Sequence, residues 1–295
     1  MRRKYLSLAT LSTLCLVAAI PMRAAGEHTV QGILLEVNPA KRQIVVSCDA
    51  IPGYMDAMVM PFSVQEPASL KGLSPGAAVR FKMVESGNEE YAEQLQKVAV
   101  TNYEAEPTEA ERLTILHRAL DPAAAAKIVA IGQPIPDFTL TDQTKEVLHL
   151  EQFRGKVIAL TFAYSRCPNP NYCFRMSNNL ARLSHRFNAE DGKDLVLMTI
   201  VIDPEDDQGK ALERYADIWK ADPKTWHFLT GSLADVRGIA GFFGMNFWND
   251  EGYLTHSFHT VVIDREGKLA ANIEGNQFTS EQLGDLVQTV LSKTH

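Results

Sequence analysis

Between residues 28 and 101 the apolar positions come in short runs separated by turn residues, with none of the spacing of a long helix. The pattern predicts strands at Thr29–Val37, Gln43–Cys48, Met58–Val64, Ala78–Val84 and Ala92–Thr101. Asn38-Pro39-Ala40-Lys41 and Gly72-Leu73-Ser74-Pro75-Gly76 supply two of the turns. Five short strands in so little chain predict a small β-barrel of the OB type. Residues 104–130 change to helical character: Thr108 and Glu111 form a capping box, and Asp121-Pro122 opens a second short helix. From Ile131 onward strands alternate with helices. Strands are expected at 157–164, 195–202, 258–264 and 268–274, helices at 173–188, 208–220, 232–243 and 279–292. That alternation predicts an α/β domain with a mixed sheet.

The chain thus divides into a leader at 1–25, a barrel at 26–103, a helical linker at 104–130 and an α/β domain at 131–295. The leader has a charged start, Arg2-Arg3-Lys4, and an uncharged apolar run from Leu6 to Ile20, the form of a secretory signal. Periplasmic or other exported localisation follows, with an uncleaved membrane anchor as the alternative. Removing the leader's four basic residues from the 29 in the chain leaves 25 against 36 acidic ones. No basic stripe remains to neutralise phosphates, so a nucleic-acid partner is disfavoured. Three cysteines survive, Cys48, Cys167 and Cys173, and an odd number leaves at least one thiol outside any disulfide.

Cys167-Pro168-Asn169-Pro170-Asn171-Tyr172-Cys173 follows the apolar run Val157–Tyr164 and precedes a helix-forming stretch. Thiols delivered by a strand to a helix start meet unpaired N–H groups and the positive end of the helix dipole, which favour the thiolate. Arg166 adds positive charge at the same place. This layout is that of thioredoxin-like redox and copper sites. Two thiolates suit Cu(I), redox exchange uses the same pair, and a plain structural disulfide is the bland reading. Asp203, closing the strand after Val201, serves either the site or the next helix start.

Ile135-Pro136-Asp137-Phe138-Thr139-Leu140, Tyr164-Ser165-Arg166-Cys167-Pro168, Val201-Ile202-Asp203-Pro204-Glu205 and Thr255-His256-Ser257 ahead of Val262-Ile263-Asp264-Arg265-Glu266-Gly267 resemble the Sco/SenC family. The resemblance covers about 131–295. It implies a thioredoxin-like copper-binding protein of cytochrome c oxidase assembly, with Cys167, Cys173 and His256 as metal ligands. This chain departs from the family in placing five residues between its cysteines, where three are usual. An imidazole beside two thiolates makes a site able to hold Cu(II) as well. His259 is the rival to His256, but in extended chain the two fall on opposite faces. Met176 is a weaker candidate, better suited to packing inward.

A second concentration of soft donors is Cys48 with Met55, Met58 and Met60. Met58 and Met60 project from one face of a strand, and thioethers select Cu(I). The block Ala57-Met58-Val59-Met60-Pro61-Phe62, with Ile51-Pro52 before it and Leu70–Gly76 after it, resembles the CusF-type copper-binding domain. That resemblance implies Met58 and Met60 as ligands, with Cys48 near the position of the family's His and Met55 at that of its Trp. Buried hydrophobes are the plain alternative for all four.

The sequence therefore points to an exported copper chaperone that delivers metal to an apo-protein such as a cytochrome c oxidase subunit. The alternatives are a thiol–disulfide oxidoreductase, with Cys167 and Cys173 as its catalytic pair acting on a client's cysteines before metallation, and a copper-buffering or resistance protein.

Overall fold

The computed structural model describes residues 28–86, 89–98, 128–168, 170–188, 192–250 and 253–293. The leader and most of the expected linker lie outside the described residues.

Strands β1 (His28–Asn38), β2 (Gln43–Cys48), β3 (Met58–Val64), β4 (Ala78–Ser86) and β5 (Glu89–Lys97) close a barrel in the order β1-β2-β3-β5-β4. The β3–β5 pair is parallel and the other pairs antiparallel, as the OB-type expectation requires. β5 begins three residues earlier than its polarity suggested, because Glu89, Glu90 and Tyr91 pair with β4 on the barrel's wet side. The interior is filled by alternate residues, among them Val30, Leu34, Ile44, Val46, Phe62 and Phe81. β1 departs from alternation: Gly32 to Leu35 are all buried. Leu34 points into the barrel, whereas Ile33 and Leu35 join the core of the neighbouring α/β unit. A strand covered on both faces reads as a continuous apolar run.

The second unit is built on a seven-stranded mixed sheet. Its strands are β6 (Thr139–Asp142), β7 (Val147–His149), β8 (Val157–Ala163), β9 (Leu195–Val201), β10 (Trp226–Thr230), β13 (His259–Ile263) and β14 (Leu269–Glu274), in the order β14-β13-β8-β9-β10-β6-β7. β8, β9 and β10 run parallel, and every residue of the three is buried, so they form the sheet's centre. A separate ribbon pairs β11 (Phe247–Asp250) with β12 (Tyr253–His256). The helices are α1 (Arg175–Arg186), α2 (Lys210–Ile218), α3 (Leu233–Phe242) and α4 (Ser280–Leu291). α1 buries Met176, Leu180 and Leu183 at helical spacing. The pattern reading had omitted β6, β7, β10, β11 and β12.

The two units meet along β1, β2 and α4. Ser47 Oγ donates to Asp285 Oδ2 at 2.7 Å, and Gln282 Nε2 donates to Asp49 Oδ1 at 2.9 Å. Lys97 and Lys293 add exposed ion pairs with Glu274 and Glu36.

Candidate metal centres

The first site lies where β8 ends. After Ala163 the chain leaves the sheet, passes Cys167, and enters a π-helical turn at Pro170–Phe174 before α1 begins. Cys173 therefore sits in a widened turn leading directly into α1, and the expected helix start at 173 moves to 175. Cys173 is buried, Cys167 half-buried, and neither is in a disulfide. His256 is the last residue of β12, at the end of a ribbon and not in a loop. Its Nε2 lies 4.0 Å from Cys173 Sγ. Its Nδ1 lies 3.0 Å from the Ser257 carbonyl, so Nδ1 carries the proton and Nε2 keeps its lone pair toward the thiol.

Tyr164 and Phe258 stand edge-on to the imidazole, with ring centroids at 5.8 and 4.6 Å. This apolar burial, before any other influence, pushes the His256 pKa down to about 4. The ring is thus neutral at neutral pH, as a metal ligand must be. Two donors bound to one ion at about 2.0–2.3 Å lie roughly 3.5–4 Å apart, so Cys173 and His256 fit a shared soft metal. His259 turns elsewhere, its Nδ1 3.0 Å from Asn272 Oδ1. Met176 is fully buried and its sulfur accepts from Thr260 Oγ1 at 3.9 Å, so it packs in the core.

Arg166 differs from its expected part. Its guanidinium is exposed and bridges Asp203, at 2.6 Å, and Asp206, so its charge is largely spent on two carboxylates instead of on the thiols. Asp203 thereby supports the cysteine loop, while the N-cap of α2 is Gly209. Asp207, which the sequence reading did not single out, is buried and takes both the N–H of Ser165, at 2.8 Å, and its hydroxyl. Burial raises the Asp207 pKa against those hydrogen bonds. Tyr215, also missed, lies behind the loop: burial first and Cys173 next raise its phenol, which stays protonated and meets Ser177 Oγ at 3.4 Å. An Asp four residues after Asp203 and a Tyr inside an amphipathic helix carry no pattern that marks them in advance.

The second site lies at the barrel's end. Cys48 stands opposite Met58, and Val46 opposite Met60, in the β2–β3 ladder. Directly opposed residues share a face, and so do residues two apart on a strand. Cys48, Met58 and Met60 therefore line one surface that continues into the barrel interior at Phe62. Exposure falls along it, from Met58 at 50 % to Met60 half-buried and Phe62 fully buried. Met55, held by an isolated bridge to Ile51, packs against the same core. Cys48 is buried and its thiol donates to the Val46 carbonyl at 3.6 Å. Burial, then Asp49 and Glu90, push the Cys48 pKa up to about 12. Two neutral thioethers and a thiol at a mouth suit Cu(I), provided the ion displaces the thiol proton.

A central strand of a mixed sheet that runs through one thiol to a second at a helix start, with an imidazole from a separate ribbon beside that second thiol, has the layout of a thioredoxin-like fold. The SCO1/SenC sequence model matches residues 131–292, and the model described as "Copper binding periplasmic protein CusF" matches 27–97. The chain belongs to the SCO1/SenC family and carries a CusF-like domain ahead of the family's own. A SCO2-like protein of Rickettsia typhi is 27 % identical over 140 residues, covering 44 % of this chain and 65 % of its own length. The SCO1 protein homolog of Bacillus subtilis is 28 % identical over 111 residues, 37 % of this chain and 56 % of its own. A crystal structure of an Aquifex aeolicus protein assigned to electron transfer shares the fold, with a TM-score of 0.50 at 21 % identity, over 56 % of this chain and 97 % of its own.

Proposed function

We propose that this protein is an exported copper metallochaperone. The barrel takes Cu(I) on Met58, Met60 and Cys48, and the dithiol site of Cys167, Cys173 and His256 holds copper for an apo-protein, with a cytochrome c oxidase subunit as the class of client. The observation that carries the reading is the pairing of the buried Cys173 thiol with His256 Nε2 at 4.0 Å, the ring's other nitrogen tied to a carbonyl. A signal-like leader, a barrel domain at 26–103, a linker at 104–130 and a thioredoxin-like domain at 131–295 are the organisation this reading assumes. An anaerobic Cu(I) titration against a strong chelator tests it. Two equivalents are expected for the reduced chain and one for Cys167→Ser/Cys173→Ser; an unchanged stoichiometry in that variant removes the dithiol site.

A second reading, thiol–disulfide exchange, is favoured by the unequal exposure of Cys167 and Cys173. The more accessible Cys167 thiolate attacks a client disulfide, forming a mixed disulfide and releasing one client thiolate. Cys173 then attacks the Cys167 sulfur, releasing the second client thiol as the Cys167–Cys173 disulfide forms. Two electrons pass to the client. His256→Ala separates the readings: loss of Cu(II) with reductase activity retained supports exchange as a function of its own.

A further inference from the structure

Cys48 is the last residue of β2, and both of its neighbours are held by α4 of the other unit. Ser47 Oγ donates to Asp285 Oδ2 at 2.7 Å, and Asp285 is itself fixed by Arg186 Nη2 at 2.7 Å. Gln282 Nε2 donates to Asp49 Oδ1 at 2.9 Å and to the Ser47 carbonyl at 3.3 Å. The other end of that amide is already committed. Gln282 Oε1 accepts from Thr279 N at 3.0 Å in the capping box that starts α4. The cap therefore orients the amide so that its NH₂ must face the barrel. Gln282 and Ser47 are both buried.

We infer that Gln282 and Asp285 are positioning residues for the barrel's sulfur site, acting through Ser47 and Asp49 to hold Cys48 across from Met58. The inference rests on the reading of that site as a Cu(I) site. Beyond Cys48 the pairing with β3 ends, and one backbone bond on the β1 side, Asp49 N–H to the Gln31 carbonyl at 2.8 Å, ties the chain before it enters the loop that returns as β3. A strand end held on one side only frays more readily, and fraying rotates the thiol away from the two thioethers on the facing strand. Outer partners that fix a ligand's direction typically change metal affinity by about 10–100-fold. Here the outer partners come from a different folding unit. α4 also starts from the segment that touches the dithiol loop, Asn276 Nδ2 donating to the Asn171 carbonyl at 3.2 Å. The helix thus braces the barrel's site, and the segment leading into it touches the dithiol loop.

The test uses the full chain with Cys167→Ser and Cys173→Ser, so that only the barrel binds tightly, and reads Cu(I) affinity by chelator competition and sulfur number by X-ray absorption. Gln282→Glu is the decisive variant: its carboxylate still caps α4 but cannot donate to Ser47 or Asp49. An affinity about tenfold weaker, with a sulfur lost from the copper shell, is expected. Because Cu(I) replaces the Cys48 proton, an added negative charge favours both ions alike, so the lost sulfur, together with the weakening, identifies the lost brace. Asp285→Asn is expected to weaken binding in the same direction, and Gln288→Ala, an exposed position on α4, to leave it unchanged. Equal affinity and sulfur number in parent and Gln282→Glu overturns the inference, as does equal weakening by Gln288→Ala. Absence of Cu(I) binding in the parent instead overturns the copper reading of the barrel, and the positioning role with it.

Discussion

Protonation of single side chains sets how this protein responds to pH. His256 is buried neutral, with its pKa near 4, below the value of about 6.5 for an exposed imidazole. The unfolded chain binds a proton that the folded one refuses, so this contribution is complete above pH 6.5 and is lost as pH falls toward 4. Roughly 3 kcal/mol of stability of the metal-free protein should vanish across that window. Urea unfolding at pH 7 and pH 4.5 reads it, and His256→Gln should flatten most of the difference. His227, lowered chiefly by burial and opposed by Asp142, contributes in the same direction, so some slope should remain. Cys48 obeys the opposite logic. Its thiol is held protonated by burial, so Cu(I) bound there as a thiolate complex must expel a proton. Barrel affinity should then rise about tenfold per pH unit between pH 6 and 8, and Cys48→Ser, leaving thioethers alone, should be flat. A flat parent would show that Cys48 is a core residue and not a ligand.

Elements bring these residues together, and here legibility from sequence divides along physical lines. Cys48, Met58 and Met60 were readable as a group because a short antiparallel pair brings opposed residues onto one face whatever the surroundings. The position of Cys167 and Cys173 between a central strand and a helix start was readable because the apolar run Val157–Tyr164 can only be a buried strand. The partner choice of Arg166 was not readable: it depends on Asp203 and Asp206, which only the parallel pairing of β8 with β9 brings alongside. β10 escaped notice because Trp226-His227-Phe228-Leu229-Thr230 is too short and too mixed to separate from a loop. Burial alone explains it, since its His is satisfied by Asp142 on the next strand of the sheet. The loop carrying Cys167 is tied at Ser165 by a buried carboxylate, Asp207. Asp207→Ala should release the Ser165 N–H to water, at a cost of about 1 kcal/mol, since Ser165 is exposed. Amide exchange at Ser165–Cys167 should speed up correspondingly, while the barrel's exchange stays unchanged.

At the scale of the whole molecule two cores are joined through a seam that is partly polar and partly made of Ile33 and Leu35 from the barrel's own first strand. One close backbone approach in the seam is at Gly76. It has φ +92°, its N–H donates to the Leu34 carbonyl at 2.8 Å, and an added Cβ would lie 2.5 Å from the carbonyl oxygen of Asn272 in β14. Gly72 in the same turn has φ +79° and open space where a Cβ would point. The two glycines share a backbone conformation that disfavours side chains, but only Gly76 touches the other unit. Gly72→Ala should therefore cost about 1 kcal/mol of stability and leave the shape alone. Gly76→Ala adds a collision between two backbones, neither of which can swing away as a side chain would. The expected result is a barrel that stays folded but separates from β14, seen as a larger radius of gyration in small-angle scattering with far-ultraviolet dichroism preserved. If both variants keep the parent's radius, the seam yields locally, and the barrel's placement does not depend on that contact.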